Sequence, residues 1–347
     1  MSVDTFTFGV LDGVAVPGFV LRNRRGVVAR LTAFGARLVE LHLPDALGHA
    51  ADIVLGFDVL DGYVESDAYM GATCGRYGSR IRAGRFPLEG TLVELSCNEG
   101  RNHAHGGYRG FDRRVWCSRA DAMATEVVFS LHSPDGDEGY PGAVEASVGY
   151  RLTDDNVLAI AMHARTDRAT VINLVHHTYW NLAGHDAGDV RAQRLHLGAD
   201  FYTPIDDELV PTGEVLRVDD TPFDFRSAKP IGAGLDRVPT AAGGYDHNWC
   251  LRGPAGALRR AATLADPGSG RSLDLWTTAP GVQVYTSGHF RDPVTGKHGA
   301  RYGQYAGIAL ETQGFPNAPN LPHFPSPRLD PGYLYEHLME VRMQSNR

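Results

Sequence analysis

The stretch Val144-Glu-Ala-Ser-Val-Gly-Tyr-Arg-Leu152 decides the fold class of this chain. Apolar side chains occupy every second position, and the positions between them hold a glutamate, a serine, a glycine and an arginine. Neighbouring side chains of a β-strand point to opposite faces of its sheet, so this alternation predicts a strand with one buried face. Val144–Leu152 is therefore expected to lie in a sheet that covers an apolar core.

Shorter segments of the same character recur along the chain, at 37–43, 127–131, 157–162, 195–197, 262–265, 273–276, 282–287, 307–312 and 337–343. Clusters of Gly, Pro, Asp and Asn separate them, and Asp-Pro-Gly-Ser-Gly at 266–270 is expected to close a hairpin. No helical periodicity over ten or more residues, no internal repeat and no linker interrupts this pattern. The sequence therefore predicts an all-β fold, a large antiparallel β-sandwich, as a single domain over residues 1–347.

Composition argues against several classes of function. The 347 residues are 43% hydrophobic and 21% charged, which is typical of a soluble globular protein. A formal net charge of -8 argues against a nucleic-acid partner, because that function needs a basic face. Cys74, Cys97, Cys117 and Cys250 form no Cys-x-x-Cys pair, so neither a zinc knuckle nor a disulfide framework is expected. The N-terminus is not signal-like and no 18 apolar residues occur together, so a cytoplasmic protein without membrane insertion is expected.

The segment Asn-Leu-Val-His-His-Thr-Tyr-Trp-Asn-Leu-Ala-Gly at 173–184 concentrates polar and aromatic groups between apolar residues. If it forms a strand, His176 and His177 point to opposite faces, so one of them can enter a pocket while the other is packed or solvated. A histidine beside aromatic and amide groups is suited to proton transfer on a sugar. The alternative is a half-buried strand end whose polar groups form structural hydrogen bonds and have no catalytic role.

Two further segments carry groups that could bind a ligand. Arg76 and Arg80 lie four residues apart among glycines, and a guanidinium fork can grip a pair of hydroxyls or a carboxylate; a solvated surface turn is the alternative. His103 and His105 are expected to face the same side of a strand, a spacing that also occurs in metal-binding jelly rolls. The glutamate that such a metal site needs is absent from residues 106–111, so no metal site is predicted.

Two carboxylates stand beside apolar residues. Asp246 precedes His-Asn-Trp at 247–249, where it either caps a turn or contributes to a site. Glu311 follows Ile-Ala-Leu at 308–310 and precedes Pro and Asn residues that force the chain into a loop. A carboxylate at such an apolar strand end is either a structural hydrogen-bond acceptor or a base with a raised pKa.

Taken together and in order, these segments resemble the aldose 1-epimerase family. The family's Leu-His-Gly-Gly and Arg-Gly-Phe-Asp correspond to Ala-His-Gly-Gly at 104–107 and Arg-Gly-Phe-Asp at 109–112. Its Asn-His-Ser-Tyr-Phe-Asn-Leu is similar to His-His-Thr-Tyr-Trp-Asn-Leu at 176–182. Further matches are Asp-Glu-Gly-Tyr-Pro-Gly at 137–142, Pro-Thr-Gly-Glu at 211–214, Asp-His-Asn at 246–248, Val-Gln-Val-Tyr-Thr at 282–286 and Leu-Glu-Thr-Gln at 310–313. The resemblance extends from residue 34 to residue 331, nearly the whole chain.

The resemblance implies a fold, a reaction and a set of residues. The fold is a galactose mutarotase-like supersandwich of antiparallel sheets, and the reaction interconverts the α and β anomers of a free aldose such as galactose or glucose. Glu311 would be the general base, His177 the general acid and His105 a second active-site histidine near the ring oxygen. No cofactor and no metal are expected. The residues implied to hold sugar hydroxyls are Arg80, Asp246 and Gln283.

Three positions depart from the family pattern. Ser79 stands where the family commonly has Asn before the arginine, and it borders the sugar with a shorter reach and one group fewer to donate. His176 replaces the usual Asn and Trp180 the usual Phe. These changes leave the chemistry intact and bear on the choice of sugar. The sequence leaves open which aldose is the substrate and whether the chain is a monomer or a homodimer.

Opening the sugar ring needs one base for the proton of the C1 hydroxyl and one acid for the ring oxygen. Glu311 is expected to be ionised at neutral pH with a pKa near its usual value, and Asp246 is expected to raise the pKa of His177. The alternative functions are a glycoside hydrolase that pairs Asp246 with Glu311, a binding module that stacks sugars on Tyr179 and Trp180, and a sugar-phosphate epimerase.

Overall fold

The computed structural model describes residues 2–238 and 243–345, and β-strands dominate that part of the chain. The strands, in chain order, are β1 (Ser2–Leu11), β2 (Val14–Arg22), β3 (Val28–Thr32), β4 (Arg37–Pro44), β5 (Ala50–Asp52), β6 (Ala72–Cys74), β7 (Arg80–Ile81), β8 (Arg85–Leu88), β9 (Thr91–Glu94), β10 (His103–Ala104), β11 (Cys117–Asp121), β12 (Glu126–Ser133), β13 (Val144–Leu152), β14 (Val157–Thr166), β15 (Thr170–Val171), β16 (Val175–His177), β17 (Tyr179–Trp180), β18 (Arg194–Leu197), β19 (Ala199–Thr203), β20 (Leu216–Arg217), β21 (Lys229–Pro230), β22 (Asp246–Leu251), β23 (Arg259–Ala265), β24 (Arg271–Thr277), β25 (Gly281–Tyr285), β26 (Val294–Thr295), β27 (Arg301–Tyr302), β28 (Ile308–Gln313), β29 (Arg328–Leu329) and β30 (Tyr335–Ser345).

Helices are few and short within the described residues. The α-helix α1 spans Leu60–Glu65, and single turns of 3-10 helix lie at Arg82–Gly84, Phe111–Arg113, Asp137–Gly139, Leu235–Arg237, Lys297–Gly299 and Ala318–Asn320. This agrees with the lack of helical periodicity in the sequence. In the part of the chain that is described, no helix is long and apolar enough to cross a membrane.

The largest sheet has nine antiparallel strands in the order β11-β12-β13-β14-β30-β24-β23-β18-β21. Strand β13 has the predicted bounds, and its five alternating apolar residues are all buried. Removing a valine or leucine side chain from water stabilises a fold by about 1.5–3 kcal/mol, so this one face contributes strongly to the core. The polar residues between them, such as Glu145 and Arg151, are exposed on the other face.

Two smaller antiparallel sheets complete the sandwich. The first has six strands in the order β17-β28-β25-β22-β19-β20, and the second has five in the order β1-β2-β3-β4-β5. Leu41, Val148 and Val284, one from each of the three sheets, belong to a single buried apolar cluster. The fold is therefore the all-β antiparallel sandwich that the alternating segments predicted.

The predicted strand segments correspond to observed strands from β4 onward. The predicted hairpin is also confirmed, because β23 and β24 pair antiparallel and Asp266 at the turn bonds through its backbone to Arg271. The strands β1, β2 and β3 were not predicted. Their segments mix apolar and polar residues less regularly, and their burial is only partial along β1.

Cross-strand pairing in the six-stranded sheet determines which side chains can meet. Glu311 on β28 lies opposite Gln283 on β25, and Gln283 lies opposite Asn248 on β22. Directly opposed residues of antiparallel strands have Cβ atoms about 4.5–5.5 Å apart, so their side chains form a row across one face. Asp246, two residues before Asn248, lies on the same face one step along the strand.

Candidate active site

One cavity of about 150 Å³ brings together all seven residues predicted for the site. It opens where β7, β16, β22, β25 and β28 end or begin, beside the loops that follow β9 and β10. The predicted residues on its wall are Ser79, Arg80, His105, His177, Asp246, Gln283 and Glu311, and the other lining residues are Asp67, Ala68, Tyr69, Glu99, Tyr179, Tyr285, His289 and Phe290.

Glu311 extends from an otherwise apolar part of β28 into this cavity. The residue is only 2% exposed, its Oε1 lies 3.4 Å from His177 Nε2, and its Oε2 has no hydrogen-bond partner among the described residues. Burial raises the pKa of Glu311 well above its ordinary value, the charge of Asp246 raises it further, and Arg80 opposes both. The expectation of an ordinary carboxylate pKa was therefore wrong. Glu311 also lies inside β28 rather than at its end, and its buried surroundings exclude water from the group.

The adjacent histidines occupy opposite faces, as strand geometry predicted. His176 points into the core, where its ring contacts the hydroxyls of Tyr150 at 3.2 Å and Thr178 at 2.6 Å. His177 points into the cavity beside Glu311. Burial lowers the pKa of His177 to about 4, and the opposing influence of Asp246 does not reverse this direction. The prediction that Asp246 raises the histidine pKa was therefore wrong in its net result.

The directions of these two pKa shifts have one common consequence. Burial favours the neutral form of both groups, which is the protonated carboxyl group of Glu311 and the unprotonated ring of His177. Moving that proton to His177 Nε2 creates a carboxylate and an imidazolium without changing the number of protons bound. Two groups this close titrate as a pair rather than independently.

His105 is held in a single orientation and tautomer. Its backbone has φ of +47°, in the left-handed region, and the backbone N–H of Ser79 donates to its Nδ1 at 3.2 Å. A neutral imidazole that accepts at Nδ1 carries its proton on Nε2. Because burial lowers the pKa of His105 well below its ordinary value, the ring is neutral and presents Nε2–H as a fixed donor.

His103 does not share the face of His105, contrary to the prediction for these two residues. Strand β10 ends at Ala104, and the left-handed backbone at His105 turns that ring away from its neighbour. His103 is buried, with one ring nitrogen 2.7 Å from the Ser96 carbonyl and the other 2.6 Å from the Tyr140 hydroxyl. It supports the loop that carries His105.

The Asp-Glu-Gly-Tyr segment at 137–140 has a structural role that the motif alone did not reveal. The carboxylate of Glu138 accepts hydrogen bonds from the backbone N–H groups of Tyr108 at 3.2 Å and Arg109 at 2.8 Å. A Cβ on Gly107 would lie 2.2 Å from that carboxylate, so the glycine allows the close approach. These contacts fix the turn immediately after His105.

Of the two predicted arginines, only Arg80 reaches the cavity. Its Nη1 donates to Asp246 Oδ2 at 3.4 Å, and its Nη2 donates to Glu99 Oε1 at 2.9 Å. Arg76 is instead buried under the neighbouring loops, where its guanidinium donates to the Ser133 hydroxyl and to four backbone carbonyls. Asp246 also accepts from Gln283 Nε2 at 2.6 Å, so three of the predicted hydroxyl-binding residues form one connected group.

Aromatic side chains form part of the cavity wall, and Tyr69 and Phe290 among them escaped the sequence analysis. The ring of Tyr69 lies 4.6 Å from that of His105 and 5.8 Å from that of His177, between centroids. No pattern around Tyr69 marks it as functional, although its φ of +54° shows a constrained backbone. Tyr179 lines the cavity as a stacking residue could, whereas Trp180 is fully buried and cannot stack on a sugar.

His105, His177 and Glu311 also meet the distance requirement for a metal site, since one ligand atom from each lies within 4.8 Å of the others. The hydrogen bond from Ser79 argues against that use of the site. A metal on His105 Nε2 would require the proton to move to Nδ1, where it would face the Ser79 N–H. The arrangement therefore favours a hydrogen-bond donor at His105 over a metal ligand.

Known proteins resemble this chain in both sequence and fold. A sequence profile described as aldose 1-epimerase matches residues 17–342. The chain is 40% identical over 338 residues to galactose mutarotase of Homo sapiens, covering 97% of each chain. It is 37% identical over 335 residues to aldose 1-epimerase of Escherichia coli strain K12, covering 95% of this chain and 96% of that one. An aldose epimerase homologue from C. elegans superposes with a TM-score of 0.88 at 31% identity, covering 94% of this chain and 98% of that chain.

Proposed function

The chain belongs to the aldose 1-epimerase family and interconverts the anomers of an aldose, and from that premise we propose that Glu311 and His177 carry the two proton transfers. The observation that carries the proposal is the distance of 3.4 Å between Glu311 Oε1 and His177 Nε2 in a cavity lined by hydroxyl-binding groups. A base and an acid so placed can act on the two oxygens bonded to C1 of one sugar.

In the proposed reaction, the carboxylate of Glu311 removes the proton from the C1 hydroxyl. His177 gives its Nε2 proton to the ring oxygen, the bond from C1 to that oxygen breaks, and the open-chain aldehyde forms. The C1–C2 bond rotates, and the ring closes on the other face of the carbonyl as the two groups return their protons. The pair begins and ends each cycle with one shared proton, so no net proton exchange with solvent is needed.

The remaining residues of the cavity bind and orient the sugar in this proposal. His105 offers Nε2–H toward the ring oxygen side, where a donor stabilises the negative charge that develops as the ring opens. Arg80, Asp246 and Gln283 hold hydroxyls of the sugar through the connected group described above. Asp246 accepts from both neighbours, so it acts in this set as an acceptor rather than as the proton donor that a hydrolase would need.

We also propose that a free hexose, with galactose first, is the substrate. Relatives named galactose mutarotase share 38–41% identity with this chain over most of its length. A cavity of about 150 Å³ with several polar groups is of a size for one sugar ring. Tyr179 and Tyr285 on its wall supply apolar surface for the ring carbons.

The test is the approach of freshly dissolved α-galactose to anomeric equilibrium, followed by polarimetry. The protein should accelerate mutarotation well above the buffer rate, and Glu311→Gln should lower kcat by about 10²–10⁴-fold, the usual contribution of a general base. Glu336→Gln is a matched control, because Glu336 is exposed on β30. Release of sugar from an aryl glycoside without acceleration of mutarotation would instead identify a hydrolase, and folded protein that does neither would overturn the proposal.

A further inference from the structure

We propose that Gln313 is a positioning residue that holds the Gln283 side chain in the orientation set by Asp246, and thereby determines how tightly the sugar is held. The inference rests on the proposed function, in which Gln283 holds a sugar hydroxyl. Gln313 does not line the cavity itself. Its influence therefore has to pass through the buried amides behind the site.

Three carboxamides form a continuous chain behind the cavity. Gln283 Nε2 donates to Asp246 Oδ1 at 2.6 Å, and Gln313 Nε2 donates to Gln283 Oε1 at 3.3 Å. Gln313 Nε2 also donates to Asn248 Oδ1 at 3.3 Å. Gln313 is 0% exposed and Asn248 1%, so water cannot replace these partners.

The direction of every bond in this chain follows from Asp246. Its carboxylate, paired with Arg80, can only accept, so Gln283 must present its NH₂ group to it. The Gln283 oxygen then points away and needs a donor, which Gln313 supplies with its own NH₂ group. A reversed Gln283 would place an oxygen against the Asp246 oxygen and an NH₂ group against that of Gln313.

The backbone beside Gln313 leaves space for this arrangement. Gly281 is the cross-strand partner of Gln313 on β25, and a Cβ at Gly281 would lie 2.4 Å from Asn248 Oδ1. Because Gly281 has no side chain, the amides of Asn248 and Gln313 can meet above the strand. Gln313 Oε1 and Asn248 Nδ2 are left without hydrogen-bond partners among the described residues. The row of amides therefore keeps the bond from Gln313 to Gln283 while these two atoms remain unpaired.

The chain has a direct consequence for binding. Gln283 carries two N–H groups, of which Asp246 takes one, so the other is available to a sugar hydroxyl at the cavity wall. Without the donor from Gln313, the Gln283 side chain is held at its NH₂ end alone, and its second N–H is no longer fixed toward the cavity wall. Such a contact exists before and during ring opening alike, so its loss should raise KM and leave kcat nearly unchanged.

The decisive experiment is a double-mutant cycle that combines Gln313→Met with Gln283→Met. Alone, Gln313→Met should raise the KM for galactose about three- to tenfold with kcat within about twofold, the range for one lost hydrogen bond. In the Gln283→Met background, Gln313→Met should have no further effect on KM. Gln313→Asn, which keeps an amide but is one carbon shorter, should reproduce the higher KM if the methionine variant folds poorly.

Gln193→Met is the matched control, because Gln193 is also a buried glutamine that donates to an amide, at 2.7 Å to Asn181 Oδ1, but lies outside the cavity. It should lower the thermal midpoint without changing KM. An unchanged KM in folded Gln313→Met or Gln313→Asn protein, or an equal rise in KM in the Gln283→Met background, would overturn the positioning role. Failure of the proposed function would be distinct, since the unmodified protein would then not accelerate mutarotation.

Discussion

His105 and His177 face the same cavity with their ring centroids 5.3 Å apart, yet they are bonded in opposite ways. His105 accepts the Ser79 N–H at Nδ1 and is fixed as a donor at Nε2, whereas His177 Nε2 faces Glu311 and its Nδ1 finds no partner on another described residue. Burial lowers the pKa of both rings, so neither residue type nor pKa separates their roles. The hydrogen bond at Nδ1 separates their roles, because it decides whether the Nε2 that faces the cavity can exchange its proton.

The largest effect should come from replacing the ring that exchanges a proton. His177→Gln keeps a hydrogen-bonding amide beside Glu311 but cannot transfer a proton, so kcat should fall about 10²–10⁴-fold. Polarimetry on α-galactose measures the rate, and circular dichroism checks that the variant is folded. A loss of less than tenfold in folded protein would mean that His177 is not the acid.

The pH dependence of kcat/KM should follow the shared proton of the Glu311–His177 pair. Activity should fall about tenfold per pH unit on the acid side as a second proton binds near the His177 pKa of about 4, and on the alkaline side as the pair loses its proton above the ordinary pKa range of Glu311. Burial lowers the pKa of His105 well below its ordinary value, so its ring adds no titration step near pH 6.5. A step in activity near pH 6.5, where an unshifted histidine titrates, would contradict this picture.

Protein stability must be followed in the same pH series. Burial lowers the pKa values of His103, His247 and His337 to about 4, so between about pH 6.5 and pH 4 the unfolded chain binds protons that the folded chain does not. Stability should therefore fall as the pH falls through that window. Rates measured there count only where circular dichroism shows folded protein.

The alternation of side chains along a strand predicted the orientation of some of these histidines but not of all. The opposite faces of His176 and His177 follow directly from β-geometry, and the structure confirms them. The separation of His103 from His105 could not be predicted in the same way, because the left-handed backbone that breaks the alternation lies at His105 itself, before the two glycines that follow it. The sequence identified His105 as a residue of the site, but residue spacing could not predict the backbone conformation that orients its ring.

Long-range packing accounts for the remaining differences. Arg76 and Arg80 have similar sequence surroundings, but Arg76 is buried away from the cavity against the segments around Ser133 and Pro141. Tyr69 reaches both histidines from a loop far from either in sequence. The raised pKa of Glu311 also depends on the elements that exclude water from it. The sequence shows which segments form these elements but not where they lie around Glu311.

The fixed ring should be more tolerant of substitution than the exchanging ring. His105→Gln can keep an N–H donor toward the sugar, so kcat/KM should fall only about tenfold, whereas His105→Ala removes the donor and should lose about 10²-fold or more. The same Gln substitution at His177 should cost at least ten times more. Equal losses in the two Gln variants, measured under the same polarimetric conditions, would remove the distinction between the two histidines.

The smallest effect should come from Ser79, whose backbone fixes His105 and whose side chain borders the sugar. Ser79 has φ of +63°, a conformation that Asn adopts more readily than Ser, and Ser79→Asn retains the backbone N–H that holds His105. We therefore expect kcat to stay within about threefold while the longer amide changes the ranking of hexoses against pentoses in kcat/KM. Ser79→Gly is the control, because it accepts the same φ and keeps the N–H without adding a side chain. If Ser79→Asn leaves the ranking unchanged, or if Ser79→Gly alters it equally, the Asn side chain has no part in sugar choice.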